Sequence, residues 1–320
     1  MEYYIVDSVK GGCGKTTIAM YKAIDLANEN IANKVCYLDM DILGTAIESF
    51  LQIKENPTQG VKYFSDMFDN RESIRSERCV RKLVFDKENY MLVDKKLEIN
   101  ELVDFQKDYV KVGAVFSSPD ENKKKLFKPS ISTHYNQHID YDFFARKLEI
   151  LFSELKAGGY THIVIDMPPN SDAYTDSVFK QLLDLKKEDK VYLYLISTYD
   201  RSHIVANSNW LDKMIRNEDQ RWRTFESISI ILNDNRNIVS KHPNEIGHIA
   251  SNLKGRFNKS NFPSKTGISI KQCNYSEKIS SRAVFDFDVI NYGSSLMGTS
   301  SMIDDSIIRI SFKEIKITDL

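Results

Sequence analysis

The chain has 320 residues with 44 basic and 45 acidic side chains, so its formal net charge is -1 at pH 7. Hydrophobic residues make up 42% of it and charged residues 28%, a balance typical of globular proteins with a sizeable core. The longest apolar run, Val191–Ile196, is far shorter than the roughly 18 residues of a membrane-spanning helix. This composition argues against a membrane-spanning protein and a uniformly basic nucleic-acid coat.

Cysteine spacing bears on the cellular compartment. The four cysteines lie far apart and form no CxxC pair: Cys13, Cys36, Cys79 and Cys273. This spacing argues against a disulfide framework, a zinc ribbon and an iron–sulfur site, and favours a reducing compartment. The N-terminus has no basic segment ahead of an apolar one, so we expect no signal peptide and a cytoplasmic location.

Short apolar strands alternate with amphipathic helices along the chain. The predicted strands are Tyr3–Val6, Val35–Leu38, Tyr109–Phe116, His162–Ile165, Val191–Ile196 and Ile228–Leu232. Helices are predicted at Thr16–Asn30 and at Tyr141–Lys156, the second of which ends at Gly158-Gly159. This alternation predicts an α/β fold, a doubly wound and mostly parallel sheet flanked by helices. Ligands of such a sheet bind beyond the carboxyl ends of its strands.

Residues 54–140 interrupt this alternation. Residues 54–108 are charged and irregular, with a hairpin predicted at Arg81–Leu97, and Asn122–Pro129 is rich in lysine. We interpret 54–140 as an elaboration on the sheet because it lacks a clear core of its own. Residues 1–320 are therefore expected to form a single domain.

A glycine-rich loop, Val9–Thr17, joins the first strand to the first helix. Its glycines allow the backbone N–H groups to turn inward around phosphate oxygens, and the following helix directs its positive end to the same place. Lys15 would bring its charge to the β- and γ-phosphates, and the Thr16 hydroxyl would bind Mg²⁺. The predicted nucleotide-binding residues are Gly11, Gly12, Cys13, Gly14, Lys15, Thr16 and Thr17.

The loop resembles the deviant Walker A motif of the ParA/MinD family of P-loop ATPases. Val9 stands where the ordinary Walker pattern has glycine, and Lys10 matches the signature lysine that precedes two glycines. Lys15 matches the usual Walker lysine, and Thr17 matches a residue that contacts the α-phosphate. The resemblance implies that two chains dimerise face to face around two ATP molecules. Lys10 would then act in trans, on the phosphates bound to the partner chain.

Carboxylates follow two of the predicted strands. The second strand ends in Asp39-Met40-Asp41, and Asp166 precedes Pro168-Pro169 after a later strand. Such carboxylates face the phosphate loop, where they hold Mg²⁺-bound waters or orient the attacking water. The resemblance implies that Asp41 positions the hydrolytic water, that Asp39 lies near the metal, and that Asp166 contacts Mg²⁺ through water. Each motif taken alone is equally typical of a helix cap or a turn.

Asn233 follows the strand Ile228–Leu232. The resemblance implies that its amide reads the edge of adenine. Family members often carry arginine after this asparagine, whereas this chain has Asp234. The choice of adenine over guanine as the bound base therefore rests on the resemblance. The alternative is that Asn233 only forms a turn.

The resemblance implies a switch in which ATP makes the dimer, the dimer binds a surface or partner, and an unidentified activating protein triggers hydrolysis. DNA partition or cargo positioning would need a basic face outside the ATP site. Residues 236–271 contain seven basic side chains against the single acid Glu245. They are Arg236, Lys241, Lys254, Arg256, Lys259, Lys265 and Lys271. This excess predicts either a surface for non-specific DNA binding or a solvated face.

Three other classes of function fit the sequence less well. Membrane positioning would need an amphipathic C-terminal helix, but the alternation in Ile307–Ile317 favours a strand, so we do not expect membrane binding. Bacterial tyrosine kinases share the loop but usually carry a C-terminal tyrosine cluster, and no tyrosine follows Tyr292. Nitrogenase-reductase-like relatives use paired cysteines at a metal cluster, and this sequence has no suitable pair. A switch that acts on a protein partner without DNA remains the alternative.

Overall fold

The computed structural model describes residues 1–41, 62–64, 66, 79–88, 90, 92, 109–118, 141–168, 189–216, 225–234, 243–256, 267–275 and 315–319. The strands within these ranges are β1 Glu2–Asp7, β2 Val35–Asp39, β3 Arg81–Asp86, β4 Tyr109–Val115, β5 His162–Asp166, β6 Lys190–Thr198, β7 Phe225–Asn233, β8 Gly267–Tyr275 and β9 Ile315–Asp319. The helices are α1 Lys15–Glu29, α2 Tyr141–Ala157, α3 Arg201–Arg216 and α4 Pro243–Arg256. None of the helices described is both long and apolar enough to cross a membrane.

These strands form one sheet in the order β3-β4-β2-β5-β1-β6-β7-β8-β9. Neighbouring strands from β4 to β8 are parallel. At the two edges β3 pairs antiparallel with β4, and β9 pairs antiparallel with β8. The predicted doubly wound, mostly parallel α/β sheet is confirmed. The central strand β1 has β5 on one side and β6 on the other, so the carboxyl ends of these three strands meet around the residue where the glycine loop begins.

The described part of residues 54–140 contributes two strands, β3 and β4, to one edge of the sheet. The predicted hairpin at 81–97 is present only in part, because β3 takes β4 as its partner over Arg81–Asp86. A single bridge joins Phe85 to Leu92, and residues 93–97 lie outside the described part of the chain. A hairpin pattern in sequence does not reveal that a distant strand offers more hydrogen bonds.

The two faces of the sheet are both buried, which explains why its strands read as nearly continuous apolar runs. In β1, Tyr3 and Ile5 belong to one core cluster, whereas Tyr4 and Val6 belong to the other. The first cluster includes Leu148, Leu151, Phe152 and Leu155 of α2, and the second includes the buried face of α1. Packing α1 beside β1 fixes the first turn of the helix at the carboxyl end of the central strands.

Gly113 in β4 allows a close approach of neighbouring side chains. A Cβ built at this position would lie 2.6 Å from the Tyr160 hydroxyl oxygen and 2.8 Å from Val80 Cγ1. The Tyr160 ring also carries the Lys34 ammonium 4.7 Å from its centroid. Any larger residue must therefore displace packed groups.

We expect Gly113→Ala to lower the free energy of unfolding by about 1–3 kcal/mol, since overpacking shifts side chains away from their preferred rotamers. Urea unfolding measures the effect. Gly247→Ala in α4 is the matched control, because a Cβ there meets nothing within 4 Å. This control should gain about 0.5–1 kcal/mol, the helical advantage of alanine over glycine. Equal stability of the Gly113 variant and the unmodified protein would contradict the close approach.

Candidate nucleotide-binding site

The glycine loop leaves β1 at Asp7 and enters α1 at Lys15. Gly12 and Gly14 have φ values of +74° and +85°, a left-handed conformation that side chains with a Cβ rarely adopt. Gly14 is the N-cap residue of α1, and no side chain caps this helix end. The first N–H groups of α1 therefore remain available to an anion, and the helix dipole favours negative charge at the same point.

Buried polar side chains fix the first half of the loop. The Ser8 hydroxyl donates to the Lys10 carbonyl at 2.9 Å and accepts from the Lys10 N–H at 3.3 Å. Asn207 of α3 accepts the Val9 N–H with Oδ1 at 3.0 Å and donates to the Ile196 carbonyl of β6 at 2.7 Å. Since Ser8 and Asn207 are buried, water does not compete for these bonds. The position where Val9 replaces the usual glycine is thus held from α3.

Asn233 holds the second half of the loop. Its Nδ2 donates to the Cys13 carbonyl at 2.7 Å, and the side chain is 1% exposed. The Oδ1 of the same amide is buried and has no hydrogen-bond partner among the described residues. Asn233 therefore links the loop to the end of β7, and its predicted contact with adenine stays a prediction.

The two lysines of the loop differ in their surroundings. Lys15 is 7% exposed and lies close enough to Asp166 for its charge to lower the pKa of that carboxyl. A lysine buried at the first residue of α1 also carries the charge that a phosphate at this helix end would need. Lys10 is half-buried, between the tethered Ser8 and the exposed Gly11 and Gly12. That position at the rim is compatible with the predicted contact in trans, which remains a prediction.

Asp39 and Asp166 end the neighbouring strands β2 and β5 and are register partners. Asp39 accepts the Asp41 N–H with one oxygen at 3.0 Å and the Ser117 N–H with the other at 3.3 Å. Burial, followed by the charges of Asp166 and Asp41, raises the pKa of Asp39 well above its ordinary value. The structure therefore brings the three predicted carboxylates close enough for their charges to interact.

Asp166 has one bonded and one unbonded oxygen. Its Oδ2 accepts the Tyr37 hydroxyl at 3.0 Å, whereas Oδ1 is buried without a partner among the described residues. Burial raises the pKa of Asp166 to about 6, although Lys15, Thr16 and Tyr37 act in the opposite direction. The influence of Lys15 and Thr16 on this pKa places Asp166 beside the start of α1.

These surroundings fit Mg²⁺ bound partly through water. No cluster of three His, Cys, Asp or Glu side chains arranged to bind a metal directly occurs in the described ranges. The unbonded oxygen of Asp166 instead offers an acceptor for a metal-bound water, and the Thr16 hydroxyl offers a direct oxygen ligand. Asp39 uses both of its oxygens in backbone hydrogen bonds, so its predicted place near the metal remains a prediction.

Two residues that hold the site were not singled out from the sequence. Asn207 lies on the buried face of α3 beside Ser208 and Leu211, so a polar residue in an apolar helical stripe was the available signal. Tyr37 lies in the apolar run of β2 and looks like a core residue. Its contact with Asp166 depends on the β2–β5 register, which the sequence does not show.

The basic region 236–271 is described only in part. Arg256 Nε donates to Asp212 of α3 at 3.0 Å, and a second nitrogen of Arg256 contacts Asn209 at 3.1 Å. Lys271 lies 3.6 Å from Asp319 of β9. Lys254 is exposed, whereas Arg236, Lys241, Lys259 and Lys265 lie outside the described residues. Carboxylates from other elements therefore reduce the basic excess that the local sequence suggested.

Comparison with known proteins supports the same fold. The family model of ParA, described as NUBPL iron-transfer P-loop NTPase, matches residues 1–72, which carry β1, the glycine loop, α1 and β2. A comparison with curated protein sequences finds no match.

The ATP complex of a McdA variant from Cyanothece is similar in structure, with a TM-score of 0.51 at 12% identity over 95% of this chain and 99% of that chain. A ParA family ATPase from Chlorobium tepidum TLS gives a TM-score of 0.50 at 16% identity over 96% of both chains. The predicted resemblance to ParA/MinD P-loop ATPases is confirmed.

Loss of the Asn207 amide should loosen the glycine loop. We expect Asn207→Ala to lower the free energy of unfolding by about 1–3 kcal/mol, since it leaves the Val9 N–H and the Ile196 carbonyl unpaired. The affinity for a fluorescent ATP analogue should also fall. Asn209→Ala is the matched control, an exposed asparagine on the same helix. Nucleotide affinity equal in both variants would show that α3 does not position the loop.

Proposed function

We propose that this protein is an ATP-dependent dimerising switch ATPase of ParA/MinD type, which hydrolyses ATP to ADP and phosphate slowly and faster with an activating protein. The observation that carries the proposal is the uncapped N-terminus of α1 behind two left-handed glycines, with the buried Lys15 as the first residue of the helix and Asp166 beside it. Phosphate oxygens would satisfy both the ammonium and the backbone N–H groups. The neighbouring carboxylates add the means to bind a metal and to orient water.

Each residue of the site has a separate task in this proposal. Lys15 neutralises charge on the β- and γ-phosphates, and Thr17 binds the α-phosphate. Thr16 and Asp166 would hold Mg²⁺, which supplies neutralisation of the phosphate charge when it is bound. Asp41 is half-buried and its N–H donates to Asp39, and in this proposal its carboxylate would orient the attacking water.

The hydrogen bonds of Asn233 support adenine as the base. One of its two Nδ2 hydrogens is used by the Cys13 carbonyl, and Oδ1 is a buried acceptor without a partner among the described residues. Oδ1 is an acceptor, and the exocyclic amino group of adenine is a donor. Guanine presents an acceptor oxygen at the corresponding position, so it would repel the same atom. The unpartnered acceptor therefore supports ATP alongside the family resemblance.

The proposed dimer depends on Lys10. A half-buried lysine at the rim of the loop can reach a second chain, while its backbone is fixed by Ser8. The phosphates of the partner's ATP are the natural target of this charge. Nucleotide binding and assembly would thereby be coupled, because each chain completes the site of the other.

We further propose that the dimer acts in partition or cargo positioning in the cytoplasm. The ParA-family likeness and the basic stretch 236–271 support this assignment over membrane positioning. Iron transfer, named for the matching family, is not proposed, because all four cysteines are buried thiols. A protein partner without DNA remains the second candidate, since two of the three basic residues described in 236–271 contact carboxylates.

Substitutions in the loop should separate nucleotide binding from assembly and hydrolysis. Lys15→Ala should abolish ATP binding, whereas Lys10→Ala should keep ATP and lose hydrolysis or dimer stability. Asp41→Ala should keep ATP, accumulate as a dimer and lose turnover by about 10²-fold or more, because a group that acts on water is removed. Fluorescence titration with ATP and GTP, light scattering and phosphate release measure these effects.

Lys22→Ala serves as the control for the lysine variants, because Lys22 lies on α1 and pairs with Asp25 at 3.3 Å. Wild-type turnover of Lys10→Ala would end its role in trans. Normal hydrolysis by Asp41→Ala would move the water-positioning role to Asp39. Equal affinity for GTP and ATP would contradict base recognition by Asn233.

Non-specific DNA binding should require ATP and weaken as salt rises. In the ATP-trapped Asp41→Ala protein, Lys254→Ala with Lys259→Ala should weaken binding and reduce the salt slope by about 1 for each phosphate that is no longer neutralised. Fluorescence anisotropy with a random-sequence duplex measures both quantities. Lys156→Ala with Lys190→Ala is the control, two exposed lysines outside the region. Absence of binding at low salt would exclude the DNA surface and leave a protein partner.

A further inference from the structure

Tyr37 is a fully buried tyrosine in the middle of the carboxylate cluster. It lies in β2 two residues before Asp39, in register with Val164 of β5. Its side chain is 0% exposed and its hydroxyl donates to Asp166 Oδ2 at 3.0 Å. Because both groups are buried, water cannot replace this hydrogen bond if the hydroxyl is removed.

The hydrogen bond acts on one oxygen of Asp166 and leaves the other unbonded. The two oxygens of a carboxylate are equivalent, so the hydroxyl fixes the orientation of the carboxylate rather than the identity of one oxygen. The other oxygen, Oδ1, has no partner within the described residues, and the carboxylate lies beside Lys15 and Thr16. The tyrosine therefore sets the orientation of the carboxylate beside the phosphate loop.

We propose that Tyr37 is a positioning residue for the metal, whose hydroxyl orients Asp166 so that its unbonded oxygen accepts a hydrogen bond from a Mg²⁺-bound water. The inference rests on the proposed nucleotide site and adds to it a residue that touches neither phosphate nor metal. A neighbour that orients a metal-site carboxylate usually changes metal affinity by about 10–100-fold when it is removed. The hydroxyl, rather than the ring, carries this effect.

The test follows Mg²⁺ rather than turnover. A fluorescent, non-hydrolysable ATP analogue is bound at fixed protein concentration, and the Mg²⁺ concentration at half-maximal binding is measured. Tyr37→Phe should raise this midpoint about tenfold or more. Tyr37→Leu, which also removes the ring, should give the same shift. Tyr3→Phe should leave the midpoint unchanged, since it removes a hydroxyl from another buried tyrosine of the sheet that packs on Phe152.

A double-variant comparison isolates the pair. Asp166→Ala should raise the midpoint by itself, and adding Tyr37→Phe to it should cause no further shift, because the hydroxyl acts only through the carboxylate. Thermal melting checks that each variant is folded, since loss of packing alone would lower the melting temperature without moving the Mg²⁺ midpoint.

The outcomes separate this inference from the proposed function. An unchanged midpoint in Tyr37→Phe, or a shift confined to Tyr37→Leu, would overturn the role of the hydroxyl while the nucleotide site stands. A further shift when Tyr37→Phe is added to Asp166→Ala would overturn it as well. No binding of the analogue by the unmodified protein at any Mg²⁺ concentration would remove the proposed function, and this inference with it.

Discussion

Acidic side chains are buried at the carboxyl ends of the central strands, and one buried lysine lies among them. Among the described residues Asp7, Asp39, Asp166 and Asp234 are buried carboxylates, whereas Lys15 is the buried cation. Burial is the main cause that raises the pKa values of Asp39 and Asp166, and neighbouring carboxylates add to it. A triphosphate alone would add more negative charge, so the site favours the nucleotide together with a divalent cation. Metal and nucleotide are therefore expected to bind as a unit.

The glycine loop is shaped by residues that are distant in sequence. Asn207 of α3 accepts a hydrogen bond from the Val9 N–H. Asn233, at the end of β7, donates a hydrogen bond to the Cys13 carbonyl. Because these bonds are buried, a displacement of the loop would break them or carry α3 and β7 along. The glycine loop, α3 and β7 are therefore expected to move together.

Local patterns predicted the strands β1, β2, β4, β5, β6 and β7, the helices α1 and α2 and the glycine loop, because apolar runs and Gly-Lys-Thr are properties of contiguous residues. The strand β8 was not predicted. The sequence did not reveal contacts that depend on register. Tyr37 looks like a core residue until β2 and β5 pair and bring its hydroxyl to Asp166. The basic excess of 236–271 was likewise counted locally, whereas Asp212 and Asp319 approach Arg256 and Lys271 from other elements. Partners in space require the tertiary fold.

A tyrosine is well suited to its place beside Asp166. Lysine or arginine there would pair with the carboxylate but cancel the charge that attracts a cation, and phenylalanine would leave a buried oxygen unpaired. The phenol donates a hydrogen bond and remains neutral, since burial and the nearby Asp166 raise the pKa of Tyr37 well above its ordinary value. The site thus keeps its negative charge and a fixed carboxylate orientation at once. An apolar strand position thereby contributes to the chemistry of the site.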